Sequence, residues 1–422
     1  MFRALQTRNY RLYFFGQGVS LIGTWMQQVA LSWLTYRLTN SEFLLGLTAF
    51  VSQIPTFIAT PFAGALADRM NRHKLLIVAQ VLAMIQAFLL AGLTLSGTIH
   101  ISHILLLGMM LGMINALDMP TRQAFVIELL EKPEHLSNAI ALNSSLINAT
   151  RLIGPALAGA LIAWAGEGMC FLLNAVSYIP VIIALFMIRV TPRPRAAHQA
   201  PLLAHMREGF RYVFGFPPTR ALILHIGAIG LIGMPYVVLM PAFAKNVLHG
   251  DAQTLGWLMG ASGIGALAAA LLLARRKQVL GLGQWILTSA GIFGLGLIAF
   301  SLSRSFLLSL VMIAIVGFGM MIQLGATNII LQTIVDEDKR GRVMSIYTMA
   351  FLGLAPFGSL LAGSLGEKIG VPLTLFLSGV LCLSAALRLF VQMPKIRRAA
   401  RPIYVAKGII DEVPAPIPDS KP

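Results

Sequence analysis

Acidic residues are scarce: Asp and Glu together number 16 among 422 residues, and all charged residues make up only 11% of the chain, against about 25% in an ordinary soluble domain. That charge density does not suit a water-soluble fold. Only two cysteines occur, Cys170 and Cys382, both inside apolar runs. They offer neither a disulfide framework nor a thiolate metal cluster. There is no G-x4-G-K-[ST] loop to cradle a nucleotide phosphate and no H-E-x-x-H, and the serines form no convincing triad. No enzyme activity, catalytic residue, metal site or cofactor is therefore expected.

Hydrophobic residues are abundant, at 57% of the chain, enough for twelve segments of about twenty residues, the length that crosses a roughly 30 Å hydrocarbon core. Hydropathy places the spans near 11–36, 43–66, 75–96, 103–125, 137–164, 168–188, 221–243, 254–274, 281–302, 305–331, 343–366 and 371–393. The fold expected is an all-α integral membrane protein. Arg3, Arg8 and Arg11 precede the first span, as in a signal peptide. That span is too long for an h-region and lacks a small-x-small cleavage site, so it reads as retained.

The 32 Lys and Arg residues give a net charge of +16, which in a soluble protein would suggest nucleic acid. Here they sort by loop parity. Only Arg37, Lys245, Arg304 and Lys368 fall in the loops after odd-numbered spans, and Arg151 and Arg388 lie within spans. Basic tracts for DNA would not alternate in this way. By the positive-inside rule both termini are expected in the cytoplasm and the chain in the cytoplasmic or inner membrane, with anionic phospholipid against the cytoplasmic loops.

The longest internal connection, 191–220, is basic and Pro-rich, and its segment LLAHMREGFRYVF has the spacing of an amphipathic surface helix. It divides the chain into an N-terminal six-helix bundle, 1–190, and a C-terminal one, 221–393, followed by a largely disordered cytoplasmic tail, 394–422. Pro155 in the fifth span and Pro356 in the eleventh occupy matching places, and ELLEKPEHLSNAIAL matches TIVDEDKRGRVMSIY in order. Two such halves form a transporter architecture, with the substrate site at their interface near the midplane.

After the second span comes Gly64-Ala-Leu-Ala-Asp68-Arg69-Met-Asn71-Arg72-His73-Lys74. Gly64 would permit close helix contact, Asp68 is an anion where the helix stops, Asn71 can take a left-handed turn, and Arg72 with Lys74 can anchor at lipid. A generic basic turn is the plainer reading. The ordered set resembles the loop signature G-x-L-A-D-R-x-G-R-[KR] of the major facilitator superfamily, with Asn71 in place of the usual glycine. NYRLYFFGQGVSLIGTWMQQVALSWLTYRLTNS, ALDMPTRQAFVIELL and LSNAIALNSSLINATRLIGPALAGALI resemble the branch holding enterobactin exporters and macrolide efflux pumps. The resemblance implies twelve helices, alternating access and movement of a small organic solute, often proton-driven. It also implies that Asp68 meets the N-terminal end of the eleventh helix, near Arg342 and Val343, holding the outward-facing state closed. The matching second-half loop, LLARRKQVLG, has no Asp. Gly154-Pro155 partly matches the antiporter motif G-x3-G-P-x2-G-G, with Thr150 and Ala158 replacing two glycines.

Small or bending residues recur along the fourth span at Gly108, Gly112, Ala116, Pro120 and Ala124, a stripe that lets helices approach closely. A charged group deep in a bilayer costs about 2.5–3.5 kcal/mol on insertion scales and needs a partner or water. Asp118 and Arg151 lie at comparable depths in consecutive spans and are expected to pair, with Arg122 nearer the cytoplasm and within reach of Asp68. The pair would be either a static packing tie or a proton-responsive site, which makes Asp118 the proton-coupling candidate. Gln17, Ser20, Thr24, Gln28, Ser32 and Thr35 form a polar face on the first span, which should line a hydrated interior. The expected cavity set is Gln17, Thr24, Gln28, Ser32, Asn148, Arg151, His225, Tyr236, Gln323 and Thr327, although any one of these could serve interhelical hydrogen bonding alone. Trp25, Trp33, Met26, Met113, Met234, Met320 and Met321 would supply adaptable apolar contact. The function expected is proton-coupled efflux of a small amphiphilic compound, siderophore- or drug-like. A lipid or lysolipid transporter and a non-transporting receptor on the same fold remain open.

Overall fold

The computed structural model describes residues 3–130, 132–189, 202–276 and 278–410. Its regular elements are helical throughout. They are α1 (Arg8–Thr39), α2 (Glu42–Arg69), α3 (Arg72–Leu95), α4 (Ile101–Glu128), α5 (Leu136–Ala165), α6 (Glu167–Met187), α7 (Leu202–Gly215), α8 (Pro217–Ala228), α9 (Tyr236–Asn246), α10 (Ala252–Arg275), α11 (Leu282–Leu302), α12 (Phe306–Ile334), α13 (Arg340–Thr348), α14 (Ala355–Ile369) and α15 (Val371–Ala406). Among the described residues, 11 segments are long and apolar enough to cross a membrane, counting α8–α9 and α13–α14 as one each. The remaining span is α1, long enough at 32 residues but diluted by its polar face. The molecule is an all-α, multi-pass membrane protein; the face at which α1 begins is here the terminal face, and the face at which α1 ends is the distal one.

Local sequence sets the helix ends. Ser41 caps α2 by accepting from Leu44 N at 3.2 Å, and Asp251 caps α10 by accepting from Thr254 N at 3.0 Å. Asn71 was expected in a left-handed turn. It instead has φ −71° and caps α3, accepting from Lys74 N at 3.2 Å. The helix needs that acceptor for an orphan N–H more than the loop needs a reversal. Gly166 (φ 79°) joins α5 to α6 and Gly370 (φ 84°) joins α14 to α15, each as a single residue at positive φ. Only glycine takes that region without Cβ strain, and the two turns occupy equivalent places in the two sets of spans.

Helix packing falls into two groups. In the first, α1 packs on α5 and α6, α2 on α4, and α3 on α4 and α6; in the second, α10 and α11 pack on α12, and α11 on α15. The groups meet along two seams, α2 with α14 and α5 with α10. The amphipathic segment is the helix α7, docked on α13. Arg342 pairs with Glu208 at 2.7 Å, the Tyr212 hydroxyl donates to Asp336 at 3.3 Å, and Lys339 sits 5.0 Å over the Tyr212 ring. Burial, reinforced by the Asp336 charge, holds the Tyr212 hydroxyl above the ordinary tyrosine value, so it stays a donor. The tail departs from expectation: α15 continues as helix through Ala406, well past 394, because KIRRAARPIYVA keeps apolar residues at helical spacing, with Ile396 and Ala400 buried. Residues 411–422 lie outside the described set.

Two spans of the second group are interrupted by wide, π-type turns, Ile229–Gly233 and Met349–Gly353. Each stands just before a proline, Pro235 and Pro356. A proline lacks the N–H for the carbonyl one turn back and its ring clashes with it. Here the ladder shifts register, with Met234 N donating to Ile229 O at 2.8 Å. A Cβ on Gly358 would lie 2.0 Å from the Leu231 carbonyl oxygen, so only glycine lets α14 approach the carbonyl one turn before Pro235.

Candidate solute site and the contacts that close it

The buried acid does not pair as expected. Asp118 forms its ion pair with Arg122, one turn along α4, and accepts from Gln80 Nε2 of α3 at 2.7 Å. Arg151 is therefore not its partner. The i,i+4 spacing already brings Arg122 to the carboxylate on one helix face, whereas equal depth in two spans says nothing about which way each side chain points. The pair lies inside the first helix group, beside Tyr13, whose ring stacks edge-on against Phe125 at 6.2 Å.

Arg151 is half-buried on α5 with its guanidinium 5.9 Å over the Trp25 ring of α1, and among the described residues it has no carboxylate partner. Its own backbone meets the second group: a Cβ on Gly263 would lie 3.5 Å from the Arg151 carbonyl oxygen and 3.3 Å from the Leu152 Cα. Next to Gly263, Ser262 shares a 2.9 Å hydrogen bond with the buried Tyr236 hydroxyl. Arg151, Trp25, Tyr236 and Ser262 thus form one cluster across the line where the groups meet. Of the expected cavity residues, Arg151 and Tyr236 are the two so joined.

The others are distributed differently. Gln323 Oε1 and His225 Nε2 share a 2.9 Å hydrogen bond between α12 and α8, both side chains buried. Thr327 is buried with its hydroxyl unpartnered, and Gln17 is buried with Oε1 unpartnered. Thr24 donates to Ser20 O at 2.9 Å and Ser32 to Val29 O at 2.9 Å, within their own helix. Asn148 donates to Ser144 O at 2.9 Å. Gln28 is exposed, a full residue step around α1 from the packed face. The buried amide there is Gln27, which donates to Gln86 Oε1 at 3.1 Å and accepts from Asn174 Nδ2 at 2.7 Å.

In the loop signature, Gly64 has open space where a Cβ would stand, so it packs against no helix in this conformation. Arg72 pairs with Glu128 at 3.0 Å. Asp68 and Arg69 close α2, and their side chains lie outside the described residues. Gly154 does permit close approach: a Cβ there would lie 2.4 Å from the Trp25 Cβ. The stripe on α4 does the same against α2, since a Cβ on Gly112 would lie 2.4 Å from the Ser52 carbonyl oxygen.

The seams use glycines that the sequence patterns did not single out as a set. A Cβ on Gly46 of α2 would lie 3.1 Å from the Gly363 Cα of α14, and one on Gly256 of α10 would lie 2.9 Å from the Gly159 Cα of α5. All four sit toward the distal face. Polar contacts reinforce them there. Glu367 accepts from Ser41 Oγ at 2.8 Å and from Phe43 N at 3.1 Å. Lys245 Nζ donates to Asn40 Oδ1 at 2.7 Å, and Asn246 Nδ2 donates to the Tyr36 hydroxyl at 2.5 Å, which donates to Glu42 at 3.0 Å. Hydropathy could not find this belt, since its residues lie at span ends and pair only through tertiary structure.

Comparison with known proteins agrees with this geometry. A family model described as transmembrane secretion effector (MFS_3) matches residues 1–406. The chain is 27% identical over 372 residues to the staphyloferrin A transporter of Staphylococcus aureus, covering 87% of this chain and 92% of that one. It is 25% identical over 402 residues to the enterobactin exporter EntS of Citrobacter koseri, covering 94% and 95%, and 25% identical over 378 residues to the multidrug efflux pump Tap of Mycolicibacterium fortuitum, covering 87% and 91%. In fold it is similar to a bacterial homologue of the iron transporter ferroportin in an inward-facing state, with TM-score 0.69, 18% identity and coverage of 92% and 98%. It is similar also to a bacterial homologue of the human lysosomal transporter Spinster, inward-facing and unoccupied, with TM-score 0.66, 15% identity and coverage of 97% and 100%. The chain belongs to the transmembrane secretion effector family of major facilitator transporters, and is a membrane transporter of small molecules rather than an enzyme.

Proposed function

We propose that this transporter is a secondary active exporter of a small amphiphilic organic compound, siderophore- or drug-like, working by alternating access between the helix groups of 1–190 and 221–393. The observation that carries the reading is closure at one end. The glycine seams and the Glu367, Lys245 and Asn246 contacts join the groups at the distal face, while Gly64 near the terminal face meets open space. Lys and Arg crowd the loops of the terminal face, which the positive-inside rule assigns to the cytoplasm. The conformation is then inward-facing, ready to load from the cell interior.

In this reading the solute sits against Arg151 and Trp25 on one group and Tyr236 and Ser262 on the other. A guanidinium with no carboxylate partner among the described residues invites an anionic oxygen of the solute, and the indole offers an apolar face. Asp118 is the proton-coupling group: protonation would remove the charge that holds Arg122, letting α4 repack within the first group. The names of the relatives support a siderophore or drug as cargo.

Reconstituted proteoliposomes test it, with enterobactin, staphyloferrin A and ethidium as probes. Export predicts accumulation of one probe against its gradient, driven by a proton gradient of opposite direction and abolished by a protonophore. Binding without flux would establish the receptor alternative, and movement of a lysolipid probe alone would establish the lipid alternative.

A further inference from the structure

Away from the solute site, a cavity of about 240 Å³ lies in the cleft between α8 and α15. Its polar lining is His225, Ser384, Arg388 and Gln392, with Leu224 and Ala385 among the apolar groups. Leu387, Phe390 and Val391 beside Arg388 are all exposed, so this side of α15 faces the bilayer and the cleft it borders opens sideways. Arg388 follows Val371 at the distal start of α15 by about 26 Å at 1.5 Å per residue. In a hydrocarbon core about 30 Å thick it therefore stands near the headgroups of the terminal-face leaflet.

One group in this cleft has a need that the described residues leave unmet. Arg388 is exposed on a membrane-spanning helix and makes no ion pair or hydrogen bond among the described residues. An arginine at this depth requires an anion, water or the interface. His225, only 4% exposed, forms part of the cleft's floor, with its Nε2 bonded to Gln323 and the Ala385 backbone facing the ring.

We infer that this cleft is a binding site for an anionic phospholipid of the terminal-face leaflet. The lipid phosphate pairs with Arg388, Ser384 and Gln392 hydrogen-bond the headgroup, and the cavity floor reaches the His225 ring. One acyl chain follows the exposed apolar side of α15. The bound lipid fills a gap between α8 and α15, and through His225 it abuts the hydrogen bond that ties α8 to α12. The inference rests on the chain spanning a bilayer, not on the identity of the solute, so failure of the export assay leaves it standing and its own failure leaves export standing.

The test is native mass spectrometry of the full chain in detergent with dioleoyl phosphatidylglycerol or dioleoyl phosphatidylcholine added. Tight retention of phosphatidylglycerol over phosphatidylcholine is expected. Arg388→Gln should lower that retention about fivefold, the factor that one basic residue contributes near an anionic surface, while Arg398→Gln in the tail should not. Ser384→Phe, which fills the cavity and leaves every charge in place, should also lose the lipid, and Arg388→Lys should keep it. Equal retention by Arg388→Gln and the parent, loss confined to Arg398→Gln, or displacement by inorganic phosphate would overturn the assignment.

Discussion

Glu367, near the end of α14, and Ser41, the cap of α2, are joined by a 2.8 Å hydrogen bond across the distal face, and the same carboxylate accepts from Phe43 N. A carboxylate closing the eleventh span thus seats on the first turn of the second, where orphan N–H groups and the helix dipole favour an anion. The relation inverts the one that the loop resemblance implies for Asp68, at the end of the second span, toward the start of the eleventh. Each state of the transporter would have its own acid at its own closed end.

Removal of this contact should shift the conformational balance. Glu367→Ala is expected to weaken distal closure by about 1 kcal/mol, the usual worth of a helix cap, and so to enrich distally open molecules about fivefold. Spin labels on the distal ends of α2 and α14 would read this directly. An unchanged distance distribution would show that the glycine seams alone hold the face shut.

Arg151 is expected to act on solute affinity rather than on folding. Arg151→Gln should raise the half-saturating concentration of an anionic probe about tenfold or more, the scale of one lost charged hydrogen bond, with folded yield unchanged. Arg151→Lys should recover only part, because an ammonium keeps the charge near the Trp25 ring but lacks the planar fork that grips an anionic oxygen with two N–H groups. Flux measurements in proteoliposomes give both values.

Asp118 and Arg122 should behave as a couple. Breaking a buried pair from one side costs about 3–5 kcal/mol in soluble proteins, so Arg122→Leu is expected to lose folded yield. Asp118→Asn keeps an amide oxygen for both Gln80 and Arg122, whose side chain is partly exposed, and should fold, but with transport that no longer responds to a proton gradient. If Asp118→Asn retains protonophore-sensitive export, the carboxylate is a packing tie only.

The seams should be intolerant of bulk. Gly256→Val puts side-chain atoms where Pro155 O and the Gly159 Cα already stand within 3 Å of a Cβ, a degree of overpacking that typically costs about 1–3 kcal/mol. Gly64→Val, by contrast, meets open space here and should leave the melting temperature of the resting protein unchanged. Thermal unfolding in detergent compares the two.

The spans, the surface helix α7 and the loop signature were legible because each depends on local composition: apolar length, amphipathic spacing, charge parity. Side-chain partnership was not. Asp118 faces Arg122 and Gln80 rather than Arg151, since rotation about the helix axis decides direction and hydropathy does not encode it. Spacing put Gln28 on the polar face of α1, yet the amide that α3 and α6 bury is its neighbour Gln27. Glu367 carried no signal, being one acid at a span end, and acquires a role only when α14 lies beside α2.

The π-type turns at Ile229–Gly233 and Met349–Gly353 give the two bundles unequal stiffness. Among the described residues, the helices from α1 to α6 keep α-helical register throughout, even past Pro120, Pro155 and Pro180, whereas the second bundle carries a soft joint in each of two spans, one touching the other where Gly230 meets Phe351. Strain from a bound cargo should therefore be absorbed on that side: the first bundle swivels whole, and the second flexes to keep pace with it.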